Sequence, residues 1–469
     1  MFRVSSRLAR LQLFGIGIGC FGIAAIIVVS GRLAAMSASG GLALLGILGG
    51  IGITSILAAI RLSRTGVVRV ALETLAFAAA LIAADALLRV VAPEPTSGLE
   101  GRVWDARKLG IPFDGRMKSE VVAALRAKGD DALPGISRDW PRQPYIRQQL
   151  PDDLFPLSHA ANAEIVECNE GGKYLVYRTD EVGFNNPLGL VLSGKVDVAA
   201  VGSSITLGQC APDGQSLVAH LRQAYPRLAD FGMPGSHALS MLATFREYVE
   251  PLKPRLVLWV MHAPDADMTD ELADPILSRY LEPDFSQHLL ARRAQIDQVW
   301  RSIAIPVQYE LDYRTRVTAR TILRDRYAGI LSLSAIRWRL HLNELLAKRA
   351  QLPDLDPFKH AIALARETTR SWGGRFVVAL MPTYDEVVTR DGAEPLRHEL
   401  LARTLRDMGV EVIDAAPSFL HAPDPSELYV MGRNNHPTPA GNQILAQTLV
   451  NGMRADEANG RLAASGLRH

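Results

Sequence analysis

"VDVAAVGSSITLGQC" occupies Val196 to Cys210, and its reading decides the fold. A mostly apolar run ends at Gly202, Ser203 and Ser204 follow, and Gly208 closes the motif. An apolar run bounded by glycine reads as a buried strand. A serine just past such a strand has two readings. It caps the next helix, as serine commonly does, or it is a nucleophile held at the rim of a sheet.

Outward from this stretch the pattern alternates. "GQSLVAHLRQAY" has helical spacing, "LADFGMPG" reads as strand then loop, and "ALSMLATFREYV" is helical. "RLVLWVM" (Arg255 to Met261) is a continuous apolar strand. Further on, "HAIALARETTRSW", "RFVVALMPT", "LRHELLARTLRDMG", "VEVIDAA" and "TPAGNQILAQTLVNGM" read as helix, strand, helix, strand and helix. Strands alternating with helices predict a parallel sheet covered on both faces, a three-layer α/β domain over residues 191–456. Between about 267 and 355 the alternation fails. Two basic amphipathic stretches there, "SQHLLARRAQIDQVWRSI" and "SAIRWRLHLNELLAKRA", predict a helical insertion. Residues 96–190 read as a membrane-proximal leading segment of short elements, and 457–469 as a tail.

The chain has 469 residues and a formal net charge of +2, which excludes the strong basic field of a nucleic-acid binder. Its apolar excess lies at the front, and residues 1–95 read as a membrane anchor. Leu13 to Ser30 and Gly40 to Ile60 are uncharged and long enough to cross a bilayer. Val67 to Val91 is a weaker third span, because it carries Arg69, Glu73, Asp85 and Arg89. The first stretch exceeds the apolar core of a signal peptide, and a second span follows closely. Arg3, Arg7 and Arg10 precede span one, and Arg61, Arg64 and Arg69 lie between spans two and three. Positive charge on the inner side puts the N-terminus in the cytoplasm. Three spans then place everything beyond about Pro93 in the periplasm of a bacterial inner-membrane protein. If the third stretch is a surface helix instead, the large domain is cytoplasmic.

In an open parallel sheet, ligands gather at the carboxyl ends of the strands. Those positions hold Ser203 and Ser204, then Gly232 to Ser236, then His262 to Asp265. His436 stands just before the last helix. Ser204 and His436 are a nucleophile and a base that would meet at one sheet edge. The serine is not in the G-x-S-x-G elbow of α/β-hydrolases. Cys20 lies in the first span, and Cys168 and Cys210 in the large domain. In an oxidising compartment the latter two are a candidate disulfide, and in the cytosol two free thiols. Their spacing suits neither a zinc cluster nor a redox CxxC site.

Taken together, "VGSSITLG", "GMPGS", "HAPDAD" and the late histidine resemble the SGNH hydrolases, also called GDSL esterases. The resemblance covers about Ile165 to Met453 and implies a flavodoxin-like sheet with Ser204 as nucleophile and His436 as base. It implies oxyanion donors at the Ser204 and Gly235 amides, with Gly232 as the alternative glycine. Asp265 stands where the family has asparagine, and Arg433 where it has the aspartate that orients histidine. Asp414, Asp424 or Glu427 would then take the orienting role. "ECNEGGKYLVYRTDEVGFNNP" and "GQCAPDGQSLVAHLR" resemble a membrane-anchored bacterial branch, in which a leading cysteine and one after the serine loop occur together. This implies a Cys168–Cys210 disulfide. The implied activity is ester hydrolysis or O-acyl transfer on a cell-envelope glycan or lipid, without metal or cofactor. The rival expectation is a non-catalytic binding or assembly module on the same fold.

Overall fold

The computed structural model describes residues 5–29, 38–91, 98–315, 354–389, 394–432 and 435–466, together with positions 329, 333 and 336. The chain divides into two compact units, residues 1–96 with 316–351, and residues 97–315 with 352–469.

The first unit includes the helices α1 (Ser6–Val29), α2 (Ala38–Arg61) and α3 (Arg64–Val91). α1 and α3 contain segments long and apolar enough to cross a membrane, Ser6–Ala25 and Arg64–Leu88; Leu45–Arg61 is a shorter apolar helix. Among the described residues, most of the large apolar side chains left exposed lie on these helices, including Leu11, Ile18, Ile47, Leu75 and Phe77. A lipid phase would cover such a surface. The charges that weaken the third span are partly neutralised within the unit. Arg69 pairs with Glu73 one turn on at 2.9 Å, and the buried Asp85 accepts from the Ile336 backbone N–H at 3.0 Å. Most of the second helix expected in the insertion lies outside the described residues.

The second unit opens with α4 (Gly98–Leu109) and α5 (Lys118–Arg126), then β1 (Ala132–Pro134), α6 (Pro144–Arg147), β2 (Glu164–Val166) and β3 (Val176–Arg178). β1 pairs parallel with β2, and β2 antiparallel with β3. The main sheet follows: β4 (Val198–Gly202), α7 (Ser204–Leu207), α8 (Leu217–Ala224), β5 (Leu228–Gly232), α9 (Ala238–Thr244) and β6 (Leu256–His262). Next come α10 (Thr269–Leu272), α11 (Arg293–Thr315), α12 (Asp356–Ser371), β7 (Arg375–Met381), α13 (Glu394–Asp407), β8 (Glu411–Asp414), α14 (Ala416–Leu420) and α15 (Pro439–Gly466). α15 runs on into residues that the sequence reads as tail.

The five strands are all parallel, in the order β5-β4-β6-β7-β8. Counted along the chain from β4 this is 2-1-3-4-5, the flavodoxin-like order, with its switch point between β4 and β6. The strands are continuous apolar runs because both faces are buried. In β6, Val257, Trp259 and Met261 join one core, and Leu256, Leu258 and Val260 the other. The leading segment contributes to the first of these cores through Leu133, Ile136, Trp140, Phe155 and Phe184. Residues 97–190 therefore fold as part of this unit.

One buried ionic cluster ties the far edge together. His398 on α13 lies between two carboxylates, with Nδ1 2.7 Å from Glu386 Oε1 and Nε2 3.0 Å from Asp414 Oδ1. Arg406 stands 3.7 Å from the other Asp414 oxygen. Burial alone would lower the imidazole's pKa, but Asp414 and Glu386 outweigh it and push it up to about 9. The folded pKa exceeds the unfolded one, about 6.5. The stabilisation is thus complete below that value and is lost as pH rises through about 9. It amounts to at most about 3 kcal/mol. Thermal unfolding of wild type and His398→Gln should differ most near neutral pH and converge in strongly alkaline buffer. A difference that does not change with pH would contradict this account.

Candidate active site

β4 delivers the two serines to the switch point. Ser203 is 6 % exposed and serves the turn, its carbonyl accepting from the Leu207 N–H at 3.3 Å. Ser204 is half-buried at the first position of α7, so of the two hydroxyls it is the one open to the site. Gly208 ends α7 in the left-handed conformation, and the Asn185 amide donates to the Leu207 carbonyl at 3.2 Å.

His436 arrives from the far end of the chain. Its loop is zipped to residues 428–430 by a bridge between Tyr429 and Pro437. The Val430 N–H donates to the His436 carbonyl at 2.9 Å, and Thr438 N–H to the Leu428 carbonyl at 2.8 Å. The Tyr429 hydroxyl in turn donates to the Pro382 carbonyl at 3.0 Å. So held, His436 places Nε2 2.9 Å from Ser204 Oγ.

Its other nitrogen, Nδ1, lies 2.6 Å from Glu170 Oε2. Glu170 sits in the turn between β2 and β3, ahead of the whole parallel sheet. Of the three residues expected to orient the histidine, Asp414 and Asp424 have their carboxylates engaged elsewhere. Asp414 holds His398 and caps the Ala416 N–H at 3.0 Å. Asp424 caps a short turn, accepting from the Ser426 N–H at 2.9 Å and its hydroxyl at 2.6 Å. Glu427 touches the histidine's loop through its backbone carbonyl, which accepts from the Thr438 hydroxyl at 2.9 Å. Arg433 lies outside the described residues.

The Glu170 turn is fastened on two sides. Cys168 is disulfide-bonded to Cys210, with Cα atoms 5.5 Å apart. On the other side the Asn169 amide donates to the Asp114 carbonyl, and Asp114 N–H donates to the Gly172 carbonyl at 2.8 Å. Arg102 on α4 stands 3.9 Å from Glu170 Oε1. The Cys210 sulfur, Glu170 and His436 lie within 4.8 Å of one another. That sulfur is spent in the disulfide, so the group lacks the thiolate a metal would take.

The expected oxyanion donors differ among themselves. Gly232 pairs with Gly202 across β5 and β4, but its N–H already donates to Asp230 Oδ1 at 2.8 Å. Gly235, three residues on, has φ of 72°, and a Cβ there would lie 2.5 Å from Ser137 Oγ. No side chain fits. The N–H groups of Ser204 and Gly235 donate to no acceptor among the described residues. Asp265 is turned inward, with Oδ2 accepting from the His262 N–H at 2.9 Å. Beneath this loop lies a buried polar network. Asn186 bridges Asp180 and the Asp230 backbone, and burial pushes Asp230 up to about 8 and Asp180 up to about 6.

No family model and no curated protein matches the chain. Among solved structures, its fold is similar to a lipase/acylhydrolase from Enterococcus faecalis, at 12% identity over 56% of this chain and 96% of that one, with a TM-score of 0.31. A GDSL-like lipase from Bacteroides thetaiotaomicron gives 13% identity, 57% and 91% coverage, and a TM-score of 0.30. An acetyl xylan esterase from Geobacillus stearothermophilus gives 14%, 55% and 94%, and 0.30.

The cross-link can be checked directly. Peptide mapping without reduction should recover the Cys168 and Cys210 peptides joined. A sequence separation of 42 gives an upper guide of about 4 kcal/mol for the stability it adds. Alkylation of both thiols, in protein taken from its native compartment without reductant, would contradict it.

Proposed function

We propose that this chain is a membrane-anchored serine ester hydrolase or O-acyltransferase that acts outside the cytoplasm on an ester of an envelope glycan or lipid. The observation that carries the reading is the 2.9 Å contact between Ser204 Oγ and His436 Nε2 at the switch point of a parallel sheet. A second one supports it. Ser236 Oγ, His237 Nδ1 and His262 Nε2 are buried without hydrogen-bond partners among the described residues, at or just after the carboxyl ends of β5 and β6. Buried polar atoms are seldom left so, and a polar ligand at that edge would satisfy them.

In this reading Ser204 Oγ attacks the ester carbonyl carbon, and its proton passes to His436 Nε2. The carbonyl oxygen becomes an oxyanion, facing the amides of Ser204 and Gly235. The intermediate collapses, the ester C–O bond breaks, and the leaving alkoxide takes the proton from Nε2. Water or a sugar hydroxyl then gives its proton to Nε2 as it attacks the acyl-serine carbonyl; the acyl C–Oγ bond breaks, and Ser204 Oγ takes the proton back from Nε2. Water yields a carboxylic acid, and a sugar hydroxyl yields a new ester.

Asp265 favours a second reading, a binding module on the same fold. An amide at that position would donate to the oxyanion, whereas an ionised carboxylate only accepts. One lost donor typically costs about 10²–10³ in rate. Labelling with a fluorophosphonate separates the two readings, because it needs an activated serine and no knowledge of the substrate. Wild type should be labelled on Ser204. Ser204→Ala should abolish labelling and hydrolysis of a small acetyl ester, and Ser203→Ala should keep most of both. Asp265→Asn keeps an oxygen for the His262 N–H and adds a donor, so hydrolysis should rise by up to about 10²–10³. No labelling of wild type and no gain in Asp265→Asn would leave the binding module.

The location has its own check. An alkaline phosphatase reporter fused after Arg102 should be active and one fused at Arg64 inactive, as the arginine distribution requires. The reverse pattern would overturn the extracytoplasmic assignment.

A further inference from the structure

We infer that Glu170 is the positioning carboxylate of the site, and that the Cys168–Cys210 disulfide is the strut that keeps it against His436. The inference rests on the reading of Ser204 and His436 as nucleophile and base.

The geometry carries it in three steps. First, an imidazole that accepts a proton on Nε2 must carry its own proton on Nδ1, and a carboxylate at Nδ1 selects that tautomer and stabilises the imidazolium that forms. Glu170 Oε2 is 2.6 Å from Nδ1, and Asp414 and Asp424 are committed elsewhere. Second, Glu170 belongs to no strand of the sheet that carries Ser204. It sits in the turn between β2 and β3, strands of three residues each that pair in a small sheet with β1 and not in the main sheet. Third, the disulfide joins that turn to the loop after the nucleophile's helix. Cys168 lies two residues before Glu170, and Cys210 two residues after Gly208. Cys210 is itself held with φ of 66°. The cross-link thus fixes the carboxylate relative to Ser204, not only to its own hairpin.

Other charges face the carboxylate. Arg102 approaches Oε1 from α4 at 3.9 Å, and Lys118 on α5 and Glu167 on β2's side of the turn stand in the same electrostatic neighbourhood. Asn169 and Gly172 still tether the turn to Asp114. Loss of the disulfide should therefore loosen Glu170 without freeing it, and cost less than loss of the carboxylate.

The test measures kcat and KM for a small acetyl ester in full-length protein. Glu170→Gln should lower kcat by about 10²–10⁴ with KM little changed, as when a triad's carboxylate becomes an amide. Glu170→Asp should recover part of the loss. Cys168→Ala/Cys210→Ala should lower kcat by about tenfold, the lower end of what loss of a supporting group costs. The same cysteine pair in the Glu170→Gln background should lower it no further, because a strut for an absent carboxylate has nothing to hold. Cys168→Ser/Cys210→Ser is the second pair, for use if the alanine pair does not fold. Wild-type kcat in Glu170→Gln would overturn the role of Glu170. Equal losses from the cysteine change in both backgrounds would overturn the strut and assign the disulfide to stability alone. Either result, with Ser204→Ala inactive, leaves the esterase reading standing; an active Ser204→Ala would remove that reading instead.

Discussion

A neutral imidazole has one N–H and one lone pair, and a histidine beside a serine is a base only if the lone pair faces the hydroxyl. That constraint organises the second unit of this chain. In the proposed reading the lone pair is on Nε2, 2.9 Å from Ser204 Oγ, so the N–H is on Nδ1 and needs an acceptor. The acceptor is Glu170 at 2.6 Å, and holding it there draws on a disulfide, a short hairpin and a tether to Asp114. Three stretches widely separated along the chain meet over about one side chain's width. None of them forms the site alone.

The parallel sheet supplies the fixed frame. Strands buried on both faces put Gly202 and Gly232 level with each other, so the loops that follow start from one rigid edge. Gly235 takes a left-handed conformation at a place where a Cβ would strike Ser137, and its amide donates to no acceptor among the described residues. Gly232 is closed off by Asp230. The choice between two glycines of one short loop thus comes down to which N–H the fold has already spent.

The frame is legible in the sequence because strands buried on both sides are continuous apolar runs, and the helices between them have clear periodicity. Ser204 and His436 are legible for a related reason, since each stands where a strand or a helix visibly ends. Glu170 is not. It precedes the main sheet, in a turn between strands too short to give a period-two signal, and motif reasoning looks for the acid near the histidine. One signal did point to it. If Cys168 is cross-linked to the loop after Ser204, an acid near Cys168 is brought toward the serine, and "ECNE" offers two, Glu167 and Glu170, of which Glu167 faces His159 instead. The positions of Asp414 and His398 were equally hidden, because an aspartate at the end of a strand looks the same in sequence whether it faces the site or a buried histidine.

The central claim concerns the state of one ring, so the most direct measurement is of that ring. In protein labelled with ¹⁵N at histidine, the two nitrogens of His436 report separately which one carries the proton. At a pH where the ring is neutral, the account predicts a protonated Nδ1 in a strong hydrogen bond and an unprotonated Nε2, with this preference weakened in Glu170→Gln. A proton on Nε2 in the wild type, with Nδ1 bare toward Glu170, would make His436 a donor to Ser204 and contradict the account.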